Sequence, residues 1–412
     1  MTESAESAVR RPETHQAAVR ALVGPLPVAS VAPPDAVGRR LVQDVPAAED
    51  SPRFDNSQMD GYALGDMHLV GGNFPVGPTV PAGTDPQDVL FDAVSNPQAR
   101  VRDAVIPVMT GTRLPVGTAA VVPVEACDPP DFDEAEQRGA VQVPATEPGQ
   151  FVRRTGSDIL AGSLLLPTGH VVNPRTVGTA AAQGIATLPV SRRARVLICT
   201  GGDEIGGAGA AVIRDANGPM LAALCARHGI EVAGTVNTSD NPQAFRASLS
   251  DAVAAARPDA VVTSGGISHG RFEVVRQVLE AESAHSAWFG HVAQQPGGPQ
   301  GLATFEGVPV ICLPGNPVST AVSFRLFVAP VLGVVEDPVV GRVGGTDTAE
   351  GLPSKERFLR GHTFVEDGEL RAVAVGGPGS HLLAQSVEAD CLLRVPAGIS
   401  LVPGDEVRII PL

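Results

Sequence analysis

From Arg195 to Val335, short apolar runs alternate with amphipathic stretches, and three of those runs end in glycine-rich turns. Arg195–Thr200 reads as a strand, Gly218–His228 as a helix stopped by Gly229, and Glu231–Val236 as a strand. Pro242–Ala256 reads as a helix, and Asp259–Thr263 as a strand that runs into Ser264-Gly265-Gly266. A helix over Phe272–Ala281 follows, then a strand over Val308–Leu313 that runs into Pro314-Gly315-Asn316-Pro317, and a helix from Val318. Apolar strands separated by helices imply an α/β domain whose parallel sheet is covered on both faces. Such sheets bind ligands beyond the carboxyl ends of their strands. The glycine-rich segments 200–207, 264–270 and 314–317 all follow strands and so should gather at that edge.

The remainder has a different texture. Glu13–Val23 has helical spacing and ends at Gly24-Pro25, and Pro34–Val42 suits a second helix. Between Ser51 and Pro148, Gly and Pro recur between short Val-rich runs (Val101–Val108, Ala119–Val124, Ala140–Val143), which signals a β-rich unit. The acidic stretch Asp128–Glu136 reads as a solvated loop. From Ser354 onward short strands and turns return as a small β domain. The expected division is a helical/linker part over 13–46 and 150–180, a β-rich arm over 47–149, the α/β domain over 181–335 and a C-terminal β domain over 336–412.

Composition narrows the chemistry. A formal charge of −15 over 412 residues argues against non-specific nucleic-acid binding, which needs basic surface. The apolar runs are too short for a membrane span. The polar first residues argue against a signal peptide. Cys127, Cys199, Cys225, Cys312 and Cys391 are scattered without a C-x-x-C pair and read as small buried hydrophobes in a reducing cytoplasm. Of the 30 basic residues only Lys355 is lysine.

Glycine turns after strands leave backbone N–H groups free to converge on an anion. Gly265, Gly266 and Ser268 on one turn, with Pro314, Gly315, Asn316 and Pro317 on another, could cradle the phosphate and polar edges of an organic cofactor. The helix from Val318 would add its positive end.

Four segments carry a family resemblance: Asp55–Leu64 (DNSQMDGYAL), Val105–Leu114 (VIPVMTGTRL), Val152–Gly162 (VRRTGSDILAG) and Ile311–Thr320 (ICLPGNPVST). They resemble the molybdopterin molybdenumtransferase (MoeA / gephyrin E-domain-like) family, and the likeness runs from about Ala17 to Leu412. The resemblance implies a cytoplasmic homodimer that inserts molybdate into adenylylated molybdopterin, releases AMP and uses Mg²⁺. It also allows a molybdopterin adenylyltransferase as partner. Asp60, Thr110, Asp158 and Glu204 match the family's cleft residues, and Asp203 matches a cofactor contact. Asp240 and Glu273 match two carboxylates near Mg²⁺, while Arg360 and Ser380 match anion contacts.

One segment departs from the pattern. The family's two lysines in K-x-x-P-G-K-P become Gln295 and Gly298. His269 and Arg271 are candidates to replace that charge. The departure keeps two alternatives open: a catalytically impaired paralogue that binds molybdopterin as carrier or regulator, and an enzyme acting on another nucleotide or on an oxyanion such as tungstate.

Overall fold

The computed structural model describes residues 9–90, 101, 104–202, 213–267, 273–283 and 286–412. The chain divides into two compact units, one of Met1–Ala29 with Ser191–Leu412, the other Ser30–Val190.

The first unit opens with α1 (Pro12–Val23), whose first-turn proline lacks only an N–H that would be unpaired anyway. Its α/β sheet contains β1 (Arg195–Gly201), β2 (Glu231–Thr238), β3 (Ala260–Ser264) and β4 (Trp288–His291). After the short β5 (Gln294–Gln295), which pairs elsewhere, β6 (Pro299–Phe305) and β7 (Val308–Leu313) complete it. The six strands lie in the order β2-β1-β3-β7-β6-β4. The first four are parallel, as the alternating pattern predicts. β6 and β4 extend the sheet antiparallel, an edge the sequence pattern does not announce. Such mixed edges are common in large sheets because a tight turn can add a strand without a crossover helix.

Successive residues of the central strands point to opposite faces, so each strand feeds two cores. Val196, Ile198, Val262 and Ile311 pack with Leu221 and Cys225 of α2 (Asn217–Arg227) and with Val19 of α1. Leu197, Cys199, Val261 and Val310 pack with Phe245 and Leu249 of α3 (Pro242–Ala256) and with Val275 and Leu279 of α4 (Val274–Glu282). α3 begins where expected because Asn241 caps the amides of Gln243 and Ala244 ahead of Pro242. α5 (Pro317–Ser323) follows β7 directly.

The C-terminal strands are β8 (Val339–Val343), β9 (Glu356–Glu366), β10 (Glu369–Ala374), β11 (Cys391–Val395) and β12 (Glu406–Pro411). They run β9-β10-β8-β12-β11, and β11 pairs back to β9 to close a small barrel that leaves no free edge among its members. β5 adds to β9 in parallel and ties the α/β domain to the barrel.

The second unit is β-rich. Its three-stranded sheet places Gly61–Leu64 between Ile106–Val108 and Ala120–Pro123. Tyr62 and Leu64 enter one core with Val122, Val141 and Val143, and Ala63 enters another with Ile106 and Val121. The helix expected over Pro34–Val42 is instead a 3₁₀ turn at Pro33–Ala36. Gly38 then takes φ +80, and Arg40 and Leu41 make bridges to Val171 and Val190.

Candidate functional site

At the carboxyl ends of β3 and β7, two glycine turns approach each other closely. A Cβ on Gly315 would lie 3.2 Å from the Gly265 Cα, so a side chain there would have to push the facing backbone back by a few tenths of an ångström. Gly265 and Gly266 have φ of +91 and +69, the left-handed region that favours glycine. Buried donors fix the second turn through its carbonyls. Ser264 Oγ and Thr320 Oγ1 donate to Pro314 O at 3.2 and 2.6 Å, and Asn217 Nδ2 donates to Gly315 O at 2.7 Å. Among the described residues the N–H groups of Gly266, Gly315 and Asn316 have no protein acceptor. Carbonyls held from behind and amides left open are an arrangement whose N–H groups suit an anion.

These turns form one wall of a cavity of about 960 Å³. Segment 294–299 and Glu273 line it further, with Ser380 and His381 from the barrel. Asn316 Nδ2 donates to Ser380 Oγ at 3.0 Å, which couples the β7 turn to the loop carrying Ser380. Gly265, Gly266, Pro314, Gly315, Asn316, Ser380 and Glu273 therefore meet at one place. Pro317 starts α5 and does not line the cavity.

Arg360 is placed differently from its expected part as an anion contact. It is 6% exposed, and its guanidinium donates to the carbonyls of Leu382 and Gly377. Burial lowers its pKa. It holds the loop that presents Ser380 and His381, and it does not line the cavity. Asp240, beyond β2, is exposed and also off the cavity. Asp203, Glu204, Ser268, His269 and Arg271 lie outside the described residues.

In the second unit, Asp60 Oδ1 accepts hydrogen bonds from Thr110 Oγ1 at 2.7 Å and Thr110 N at 2.6 Å, which lower the Asp60 pKa. Asp158 accepts from Ser51 Oγ at 3.3 Å. Asp55 binds Thr155 and Arg154, anchoring the segment that precedes Asp158. Asp60, Thr110 and Asp158 are all exposed.

Sequence reasoning missed His291 and Lys355, both on the cavity wall. Lys355 carried a signal, since it is the lone lysine of an arginine-rich chain. His291 carried none.

Comparison with known proteins agrees with this architecture. Residues 10–184 match the MoeA N-terminal region (domain I and II). Residues 197–333 match a probable molybdopterin binding domain, and 348–412 match the MoeA C-terminal region (domain IV). The chain is 33% identical over 410 residues to molybdopterin molybdenumtransferase 2 of Mycobacterium tuberculosis, covering 95% of this chain and 96% of that protein. The chain belongs to the molybdopterin molybdenumtransferase family. The Nostoc molybdopterin molybdenumtransferase is 31% identical over 396 residues, 91% of this chain and 86% of the relative. The fold matches the molybdopterin biosynthesis MoeA protein of Pyrococcus horikoshii OT3 with a TM-score of 0.76 at 23% identity, over 98% of this chain and 100% of that one. Membership makes the chain a transferase-family protein of molybdenum cofactor biosynthesis. No helix among the described residues is long and apolar enough to cross a membrane.

Proposed function

We propose that this chain inserts molybdate into adenylylated molybdopterin with Mg²⁺ and releases AMP. The observation that carries this reading is the facing pair of glycine turns with open amides on a cavity of about 960 Å³. A pterin bearing phosphate needs such a wall, with N–H donors for the anion and a polar cleft for the rings. The amides of Gly266, Gly315 and Asn316 bind and orient the phosphates, and Ser380, steered by Asn316, supplies a hydroxyl beside them. AMP leaves when an oxygen nucleophile attacks phosphorus and the anhydride P–O bond breaks, so positioning and charge stabilisation supply most of the acceleration.

Mg²⁺ favours one or two carboxylates together with water and substrate phosphates. Glu273 is the carboxylate on the cavity that would join substrate phosphates in holding such an ion. Bound there, the ion would neutralise phosphate charge. Asp240 joins only as a more distant charge. Asp60, Thr110, Asp158 and Glu204 are proposed as the groups that act on the anhydride. Thr110 orients the Asp60 carboxylate through two hydrogen bonds and lowers its pKa, as suits a water-orienting group. The active form is proposed to be a cytoplasmic homodimer that receives its substrate from a molybdopterin adenylyltransferase.

The test is AMP release by purified protein supplied with adenylylated molybdopterin, molybdate and Mg²⁺. Release that stops without Mg²⁺ supports the proposal, and Glu273→Ala should slow it while Glu273→Asp retains it. Unchanged release in Glu273→Ala removes that residue from the metal site. A second reading, a carrier that binds molybdopterin without inserting metal, draws on Gln295, Gly298 and the buried Arg360. It requires tight pterin binding with no AMP released.

A further inference from the structure

The segment that lacks its lysines faces the chain's only lysine. β5 pairs with β9 in the register Gln294↔Glu356 and Gln295↔Arg357, and the Glu356 amide donates to Ala293 O at 2.9 Å. That register sets Lys355, one residue before Glu356, beside the start of segment 294–299. Glu356 turns to a second cavity, where Arg394 Nη2 donates to it at 2.9 Å, while Lys355, in the bend just before β9, lines the first. Lys355 is exposed, and among the described residues no carboxylate lies within ion-pair distance of it.

Other charges on the cavity sharpen the point. Arg360 is spent on two carbonyls. His291 and His381 line the same wall, and a Cβ at Gly298 would lie 3.7 Å from His291 Cδ2. Glu273 is the one carboxylate among the described residues lining the cavity. Among the described residues, Lys355 is thus the only lining side chain with a fixed positive charge.

We propose that Lys355 is the anion-binding cation of this cavity, taking over from the other strand the part of the two lysines absent at 295 and 298. Its ligand is a tetrahedral oxyanion or a phosphate, both of which a compact ammonium with three donors can hold as a point charge. The inference deepens the proposed function and rests on it.

Calorimetric titrations of molybdate, and separately of AMP, into the wild type, Lys355→Met and Lys355→Arg test it. Lys355→Met should weaken at least one anion by about 10- to 100-fold, the worth of one charge-assisted hydrogen bond. Lys355→Arg should stay within several-fold of the wild type. Loss confined to molybdate assigns the oxyanion, and loss confined to AMP assigns the phosphate. Amine-selective acylation gives a second readout, because it reaches only Lys355 and the α-amino group. Saturation with the assigned anion should slow acylation at Lys355. If Lys355→Met binds both anions as the wild type does, or acylation is unaffected by either, the proposal is overturned. AMP release from adenylylated molybdopterin in the same preparations separates the two failures. A wild type that releases AMP alongside a Lys355→Met variant with unchanged affinities rejects Lys355 and keeps the function.

Discussion

At Gly298 an added Cβ would meet its nearest neighbours at 3.6 Å, ordinary van der Waals distance, and the residue is not among the glycines with positive φ. Its neighbour Gly297 has φ +86 and a Cβ there would lie 2.6 Å from Ser323 Oγ. A side chain is therefore tolerable at 298 and not at 297. Gly298→Lys should fold normally and tighten molybdate binding by about 10-fold or more if its ammonium joins Lys355 at the anion. Calorimetry of the single variant and of Gly298→Lys with Lys355→Met reads this. An unaltered affinity in Gly298→Lys would show that the anion binds beyond reach of this position. Asp60 offers a contrasting case. Its pKa is lowered by the Thr110 hydrogen bonds, so the stability it adds is present above the ordinary carboxylate pKa and is lost as pH falls through its depressed value. Because the carboxylate is exposed, Asp60→Asn should barely move the melting temperature at pH 7. The same variant should lose most AMP release, and full retention would remove Asp60 from the chemistry.

Helix α1 depends on a buried histidine used as an apolar ring. His15 is 0% exposed, both ring nitrogens lack partners, and the ring packs edge-on to Phe327 at 4.6 Å and against Trp288 at 5.2 Å. Burial, with a smaller contribution from Arg10, lowers its pKa to about 3. Below the ordinary histidine pKa the unfolded chain takes up a proton that the folded chain refuses. Stability should fall as pH drops from about 6.5 toward 3. His15→Phe should flatten this loss, so the gap in melting temperature between pH 5 and pH 7.5 should shrink. An equal gap in both proteins would mean that other groups dominate. The turn after β3 is constrained more tightly. A Cβ at Gly266 would lie 2.6 Å from Val275 Cγ2 and the position has positive φ, so Gly266→Ala should cost about 1–2 kcal/mol in denaturant unfolding. An unchanged unfolding midpoint would show that α4 can shift to admit the methyl. Other elements were less legible. Asp128–Glu136 reads as a loop from its charge, yet Phe132–Arg138 is a helix. Asp131 caps the Glu134 amide and Arg138 pairs with Glu134, so acids that suggest solvation are spent on a helix end.

For the whole molecule, the proposed dimer predicts a light-scattering mass near twice the 42.2 kDa of the chain at micromolar concentration, and a monomer would contradict it. The α/β architecture and the two glycine turns were written in the sequence. Unbroken apolar strands leave both sheet faces to be covered, and only glycine serves where φ is positive and backbones nearly touch. The four motifs were equally legible as linear strings. The cavity's far wall was not. Which face Lys355 takes depends on the pairing of β5 with β9 across some sixty residues of chain, and a shift of one residue would exchange it with Glu356. The same holds for Arg360, whose motif suggests an anion contact while its burial commits it to the carbonyls of Gly377 and Leu382. Local spacing determines which residues can share a strand or a turn. Only the tertiary structure decides which charges are spent on the protein itself and which remain for a ligand.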